Sequence, residues 1–270
     1  MPDIPPAGFR APEPGAGPWA TVIMTNDQIA AIKRDYDPGG FAIVPGYLSG
    51  EALEELRERA TRLTDFLRQR QPKRADPAVR GSAPRRGRRS GDVFKGLQNH
   101  DAWFDHELKA GSHVPLIKAL IDDEPVPGTA AWFTKHPGSM AEIGPHRDAI
   151  GQPPGLKPGA TIWIALDSAD PENGCLHYGR GSHRHEYGYG IPIPGFDVND
   201  GTAVPANVQP GDAVIHSSLT VHWSGGNPTD RPRRAVSFFY WGASNQTPEQ
   251  VDEILARWRA RKEEEQRSWV

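Results

Sequence analysis

Between Thr129 and Trp241 the chain is built from short β-branched or aromatic runs, TAAWFTK, ATIWIALD, DAVIHSS and RAVSFFYW, each bounded by Gly and Pro. Runs of this kind, with turn residues between them, specify short antiparallel strands and argue against an alternating βαβ chain with a parallel sheet. The expected fold class is mainly β with helical additions: an antiparallel sandwich or a jelly roll, the latter a double-stranded β-helix of cupin-like form, flanked by N-terminal helices and a C-terminal helix.

The flanking segments read differently. Residues 1–22 carry Pro and Gly at a density that packs no core, so a flexible tail is expected, followed by a single domain over 23–270. Thr25 and Gln28 form the pattern of a capping box, which starts a helix running to about Tyr36. Ser49 stands before a second helix in which Leu53, Leu56, Leu63 and Leu67 recur near the helical period. Further helical patches lie around DAWFDHELK and HVPLIKALIDD, and a last helix begins at Thr247 with Pro248 and Gln250.

At 270 residues and 37% hydrophobic content the chain can bury one substantial core. Its formal net charge of −3 is not the footprint of a nucleic-acid or anionic-membrane binder. No basic leader precedes an apolar run and no window approaches a membrane span, so a cytoplasmic protein is expected. The single cysteine, Cys175, excludes an internal disulfide and any multi-thiolate metal site, and reads as a small buried hydrophobe. One stretch breaks the pattern: Arg68 to Arg89 holds nine Lys or Arg against one acidic residue, Asp76. A solvated mobile loop over 68–90, a lid or anion-attracting rim, and a nucleic-acid contact are the readings open to it, the last weakened by the lack of interleaved aromatics.

The chemistry concentrates in two segments. In GPHRDAIG, His146 and Asp148 are two residues apart, and on an extended strand such side chains share a face. Far downstream, in IHSSLTVHWSGG, His222 can bring a third ligand from a neighbouring strand. Two imidazoles and one carboxylate on one face of an octahedron leave positions open, an arrangement suited to iron(II) oxygenases. His-x-Asp alone is common by chance. What gives it weight is Arg233, eleven residues beyond His222, where a cation enters an otherwise apolar strand and demands an anionic partner. A guanidinium there can grip the distal carboxylate of 2-oxoglutarate, with Ser224 as a second donor.

At this point the stretch from about Thr129 to Trp241 resembles the phytanoyl-CoA dioxygenase family of 2-oxoglutarate oxygenases, which includes ectoine hydroxylase. The matching pieces, in order, are FTKHPG, HRD, WIALDSADPENGCLHYGRGSH and PGDAVIHSSLTVHWSGGNPTDRPRRA. Weaker similarity in GFAIVPGYLSGEALEELRERA and DVFKGLQNHDAWF resembles the family's N-terminal helices. The resemblance implies iron(II) at His146, Asp148 and His222, 2-oxoglutarate at Arg233 and Ser224 with Lys135 near the co-substrate, and dioxygen as oxidant. It further implies oxidation of a C–H bond in a small molecule, with release of succinate and CO2. Two residues depart from the family pattern, Arg147 between the ligands and Arg180 before GSH. Arg147 is read either as a mark of an acidic substrate or as one end of a surface salt bridge.

Candidate walls of the substrate pocket are Lys95, Asn99, Trp132, Arg147 and Trp241, and with the basic loop they suggest an anionic or zwitterionic molecule. His216 lies at an interval from Arg233 that does not fit the family's distal ligand, and it receives no role. The rival from another class is a jelly-roll binding protein without turnover.

Overall fold

The computed structural model describes residues 24–70, 92–149, 158–187 and 190–245. The tail 1–22, the basic stretch beyond Arg70 and the helix expected from Thr247 lie outside these residues. Ten strands form two antiparallel sheets among the described residues. The elements run α1 (Asn26–Gly39), β1 (Phe41–Val44), α2 (Gly50–Arg70), β2 (Asp92–Lys95), α3 (Ala102–Ala110), α4 (Val114–Ile121), β3 (Pro125–Lys135) and β4 (Ile143–His146). They continue with β5 (Ala160–Ala165), β6 (Leu176–Gly179), β7 (Ala203–Pro205), β8 (Ala213–Ser217), β9 (His222–Ser224) and β10 (Arg233–Gly242). The six-stranded sheet has the order β1-β8-β5-β10-β3-β2 and the four-stranded sheet β4-β9-β6-β7. The mainly β jelly-roll expectation holds.

Local chemistry sets the helix limits. Thr25 Oγ1 accepts the Gln28 N–H at 3.3 Å while Gln28 Oε1 accepts the Thr25 N–H at 2.8 Å, the reciprocal box anticipated for α1. The helix runs past Tyr36 to Gly39 and is closed by Gly40 at φ 79°, whose N–H meets the Tyr36 carbonyl at 2.7 Å. A side chain at Gly40 would collide with His183 and Thr220, so this turn requires glycine twice over. In α2, Leu53, Leu56 and Leu63 are buried, and the helix extends into the stretch read from composition as loop. Arg68 pairs with Asp65 at 2.6 Å and covers the Phe94 ring, and Arg70 covers Phe66. Their aliphatic stems have apolar surface to lie on, which a bare charge count cannot show.

The segment DVFK, which resembled part of a helical region, is instead the edge strand β2, with Phe94 opposite Trp132 and Lys95 opposite Ala131. Its alternation decides the matter: Phe94 is buried and its neighbours Val93 and Lys95 are exposed. The charged Lys95 also suits an edge, where it discourages pairing with another chain.

The large sheet separates two environments by parity. Trp132, Ile162, Ile164, Ile215, Val236, Phe238 and Tyr240 point to the helices and pack with Phe104, Leu108, Leu116 and Ile117. The alternate positions, among them Thr129, Ala131, Phe133, Thr161, Trp163, His216, Ser237 and Phe239, face the small sheet across a cavity. On the helix side one polar group is badly placed: Glu107 of α3 is buried, and its Oε2 has no hydrogen-bond partner. Burial, then the neighbouring Glu55, raise its carboxyl to about 7 against the pull of Arg59.

A carboxyl with a folded pKa above its unfolded value contributes stability that is complete below the unfolded pKa and is lost as pH rises through the folded one. Glu107→Gln is therefore expected to raise the melting temperature at pH 8, by an amount corresponding to on the order of 2 kcal/mol. The gain should vanish near pH 5. A pH-independent difference between variant and parent would contradict this account.

Candidate active site

Strand register brings the first two site residues together. In the β4–β9 pair, His146 stands directly opposite His222, and the imidazole centroids are 4.3 Å apart. β4 ends at His146, so Asp148 is not on the same strand face as anticipated but in the bend that follows. The bend still turns its carboxylate inward: one ligand atom from each of His146, Asp148 and His222 lies within 4.8 Å of the others. Asp148 Oδ1 is 3.6 Å from His222 Nε2.

The imidazoles are oriented by backbone carbonyls. His146 Nδ1 meets the Gly144 carbonyl at 2.9 Å, and His222 Nδ1 meets the Thr220 carbonyl at 3.0 Å. A carbonyl only accepts, so Nδ1 carries the proton in both rings and the Nε2 lone pairs are left for an ion. Burial, with His146 nearby, lowers His222 to about 3. Burial would raise the Asp148 carboxyl, but His222, His216 and His146 outweigh it and hold it well below the usual carboxylate range. A neutral His222 beside an ionised carboxylate is the protonation state a divalent cation needs.

The cavity of about 290 Å³ between the sheets runs from this cluster past Trp163, Phe133, Phe239 and Trp241 to Ser224 and Arg233. Arg233 opens β10 on the inward parity, is 2% exposed, and sets its guanidinium 5.5 Å over the Trp163 ring. No carboxylate among the described residues pairs with it, and its Nε has no hydrogen-bond partner. Burial lowers its pKa only to about 10, so it stays charged at neutral pH. Its neighbour Arg234, on the other face, is neutralised by Asp167 through two hydrogen bonds of 2.8 and 2.7 Å. Ser224 Oγ is buried without a partner in the same cavity. An unpaired buried cation beside an unpaired buried hydroxyl is costly in isolation, and an anion entering the cavity would relieve both.

The turn that delivers Arg233 is tied by Asn227, which donates to the carbonyls of Lys135 at 3.1 Å and Arg231 at 2.7 Å. Lys135, anticipated near the co-substrate, lies opposite Arg233 in register but does not line the cavity. Its ammonium donates to the carbonyls of Ala141 and Gly225. Burial and the repulsion of Arg233 lower its pKa to about 7.

Two of the five expected pocket walls, Lys95 and Trp241, do line the cavity. The other three do not. Trp132 has helix-side parity and sits in the core. Asn99 is exposed in the short turn Leu97–Asn99. Arg147 donates to the Ser182 and His185 carbonyls and lies 4.9 Å over the Tyr187 ring. Two residues given no role in the sequence do enter the site. Thr161 donates to Asp148 Oδ2 at 2.6 Å, and His216 Nε2 is 3.0 Å from the same oxygen. The inward parity of DAVIHSS was the available signal for His216.

Two antiparallel sheets around a cavity that gathers two imidazoles and one carboxylate make this a jelly roll of the metal-dependent oxygenase type. The family model described as phytanoyl-CoA dioxygenase (PhyH) matches residues 36–235, and the chain belongs to that family. It is 33% identical over 163 residues to phytanoyl-CoA dioxygenase domain-containing protein 1 of Danio rerio, a match covering 53% of this chain and 55% of that protein, so it spans about half the relative's length. Among solved structures it is similar to EvdO2 of Micromonospora carbonacea var. aurantiaca complexed with 2-oxoglutarate, with TM-score 0.60 and 27% identity over 82% of this chain and 93% of that one. The α-ketoglutarate-dependent carbocyclase SnoK shares the fold at TM-score 0.64 and 20% identity, over 82% of this chain and 85% of that one.

The parity of Trp132 and Trp241 separates their effects. Trp132→Leu should cost roughly 2–4 kcal/mol of stability through a core cavity. Trp241→Leu, at a half-buried cavity wall, should cost under about 1 kcal/mol and act on ligand binding instead. Denaturant midpoints for the two variants check this, and equal losses would contradict it.

Proposed function

We propose that the protein is an iron(II)- and 2-oxoglutarate-dependent dioxygenase that hydroxylates, or otherwise oxidises, a C–H bond of a small anionic or zwitterionic molecule. The observation that carries this reading is the buried Arg233, paired with no carboxylate among the described residues, in the same cavity as the His146, Asp148 and His222 cluster. The donor set fits iron(II): two imidazole nitrogens and one carboxylate oxygen would hold the ion. Iron(II) with 2-oxoglutarate supplies dioxygen activation, with succinate and CO2 as co-products.

The chain's own residues do the rest. His146, Asp148 and His222 hold the ion, their orientation fixed by the Gly144 and Thr220 carbonyls and by Thr161. Arg233 and Ser224 take the distal carboxylate, relieving two orphaned donors at once. Phe133, Phe239 and Trp241 exclude water around the reacting carbon. Lys95, at the exposed edge strand, attracts an anionic group of the substrate. A cavity of about 290 Å³ lies at the small end for ligand sites, which supports a compact substrate. No helix among the described residues is long and apolar enough to cross a membrane, and a net charge of −3 gives no nucleic-acid footprint. A cytoplasmic enzyme of small molecules is the consistent reading.

Anaerobic addition of iron(II) and 2-oxoglutarate should produce a visible charge-transfer band. His146→Ala should abolish it by removing the metal. Arg233→Ala should leave metal binding intact and weaken 2-oxoglutarate about ten- to a hundredfold, the worth of charge-assisted hydrogen bonds. No band together with no iron uptake would sink the enzyme reading and leave a jelly-roll binding protein.

A further inference from the structure

Among the described residues, no backbone group bonds the Asp148 carboxylate as carbonyls bond the two imidazoles, and the two side chains that do bond it converge on one oxygen. Thr161 Oγ1 donates to Oδ2 at 2.6 Å and His216 Nε2 lies 3.0 Å from it, while Oδ1 faces the histidine pair. The sheet aligns the two donors: Thr161 of β5 and His216 of β8 are direct cross-strand partners on the inward face. We propose that His216 is a positioning residue that, with Thr161, occupies Asp148 Oδ2 and so restricts the carboxylate to presenting Oδ1 alone to the metal. The inference rests on the metal-site reading above.

Proton bookkeeping fixes how His216 does this. An ionised carboxylate only accepts, so His216 Nε2 must carry its hydrogen toward Asp148. Its Nδ1 lies 3.0 Å from the Tyr178 hydroxyl, a group able to donate or accept. Tyr178 is fully buried and stacks on Phe41 with centroids 4.6 Å apart and planes 13° from parallel. Tyr178 thus holds the His216 ring from the Nδ1 side, with Nε2 directed at Asp148 Oδ2. Both nitrogens of His216 are committed, so it is not a ligand itself, although its ring lies 4.6 Å from that of His222. The consequence concerns the open face of the metal. Two imidazoles and one carboxylate oxygen leave three octahedral positions, and a second Asp148 oxygen would remove one of them.

Cobalt(II) titration of the full chain tests this without turnover. His216→Phe keeps the bulk and removes the donor. It should weaken cobalt(II) about ten- to a hundredfold, the usual cost of losing an outer partner of a ligand, and change the visible ligand-field spectrum. The metal-free melting temperature should stay near that of the parent. His216→Gln, which can donate from its amide, should restore much of the affinity and the parental spectrum. If His216→Phe does not fold, Thr161→Val removes the other donor and should produce a smaller change in the same direction. Parental affinity and spectrum in both variants overturn the inference alone. A parent chain that binds no cobalt(II) overturns it together with the metal-site reading.

Discussion

The pleat of the two sheets governs where everything else can go. Because successive side chains on a strand face opposite ways, β3, β5, β8 and β10 each contribute one apolar row to the helix-side core and one row to the cavity. The helices of the N-terminal half exist to cover the first row, and their removal would leave Trp132, Phe238 and Tyr240 in water. Covering that row frees the second to carry groups that no core tolerates: Thr161, His216 and Arg233. A slip of one residue in any of these strands would exchange the two sets, so the core's hydrophobic demand also enforces the register of the site.

Two adjacent arginines show how the same constraint sorts charge. Arg234 reaches Asp167 and is neutralised in a bidentate pair near the surface. Arg233, one residue earlier and on the opposite face, is buried over Trp163 with no acidic partner among the described residues. Burying an unpaired guanidinium costs several kcal/mol, and a fold keeps such a cost where a ligand repays it. The Asn227 turn and the carbonyls that hold Lys135 fix the segment from which Arg233 projects.

The elements with strong local signals were legible in the sequence. The capping box at Thr25, the leucine period of α2 and the four apolar runs from Thr129 onward all became the elements they suggested. The sequence singled out His146 and Asp148 by their spacing and His222 as a third donor from a neighbouring strand, whereas Arg233 stood out as a cation in an otherwise apolar strand. What was not legible depended on parity and on partners distant in sequence. Trp132 and Trp241 look alike as letters, yet lie on opposite faces of the sheet, and a β-bulge between Phe239 and Tyr240 shifts the β3–β10 register near the second. Arg147 stands between His146 and Asp148 in the sequence, but its carbonyl partners come from the distant segment around Ser182 and His185. DVFK is short enough to suit helix or strand until β3 is there to pair with it.

His216 is the instructive omission. Interval alone separated it from His222 and gave it no role, because spacing identifies which residue can occupy a ligand position and says nothing about what holds the ligand. The answer lies in cross-strand geometry: β1, β8 and β5 stack Phe41, His216 and Thr161 in one row beneath the bend that carries Asp148. That bend is off the strand and lacks a ladder to fix its side chain. The row acts from the sheet below, where side chains of two adjacent strands meet one carboxylate oxygen of Asp148.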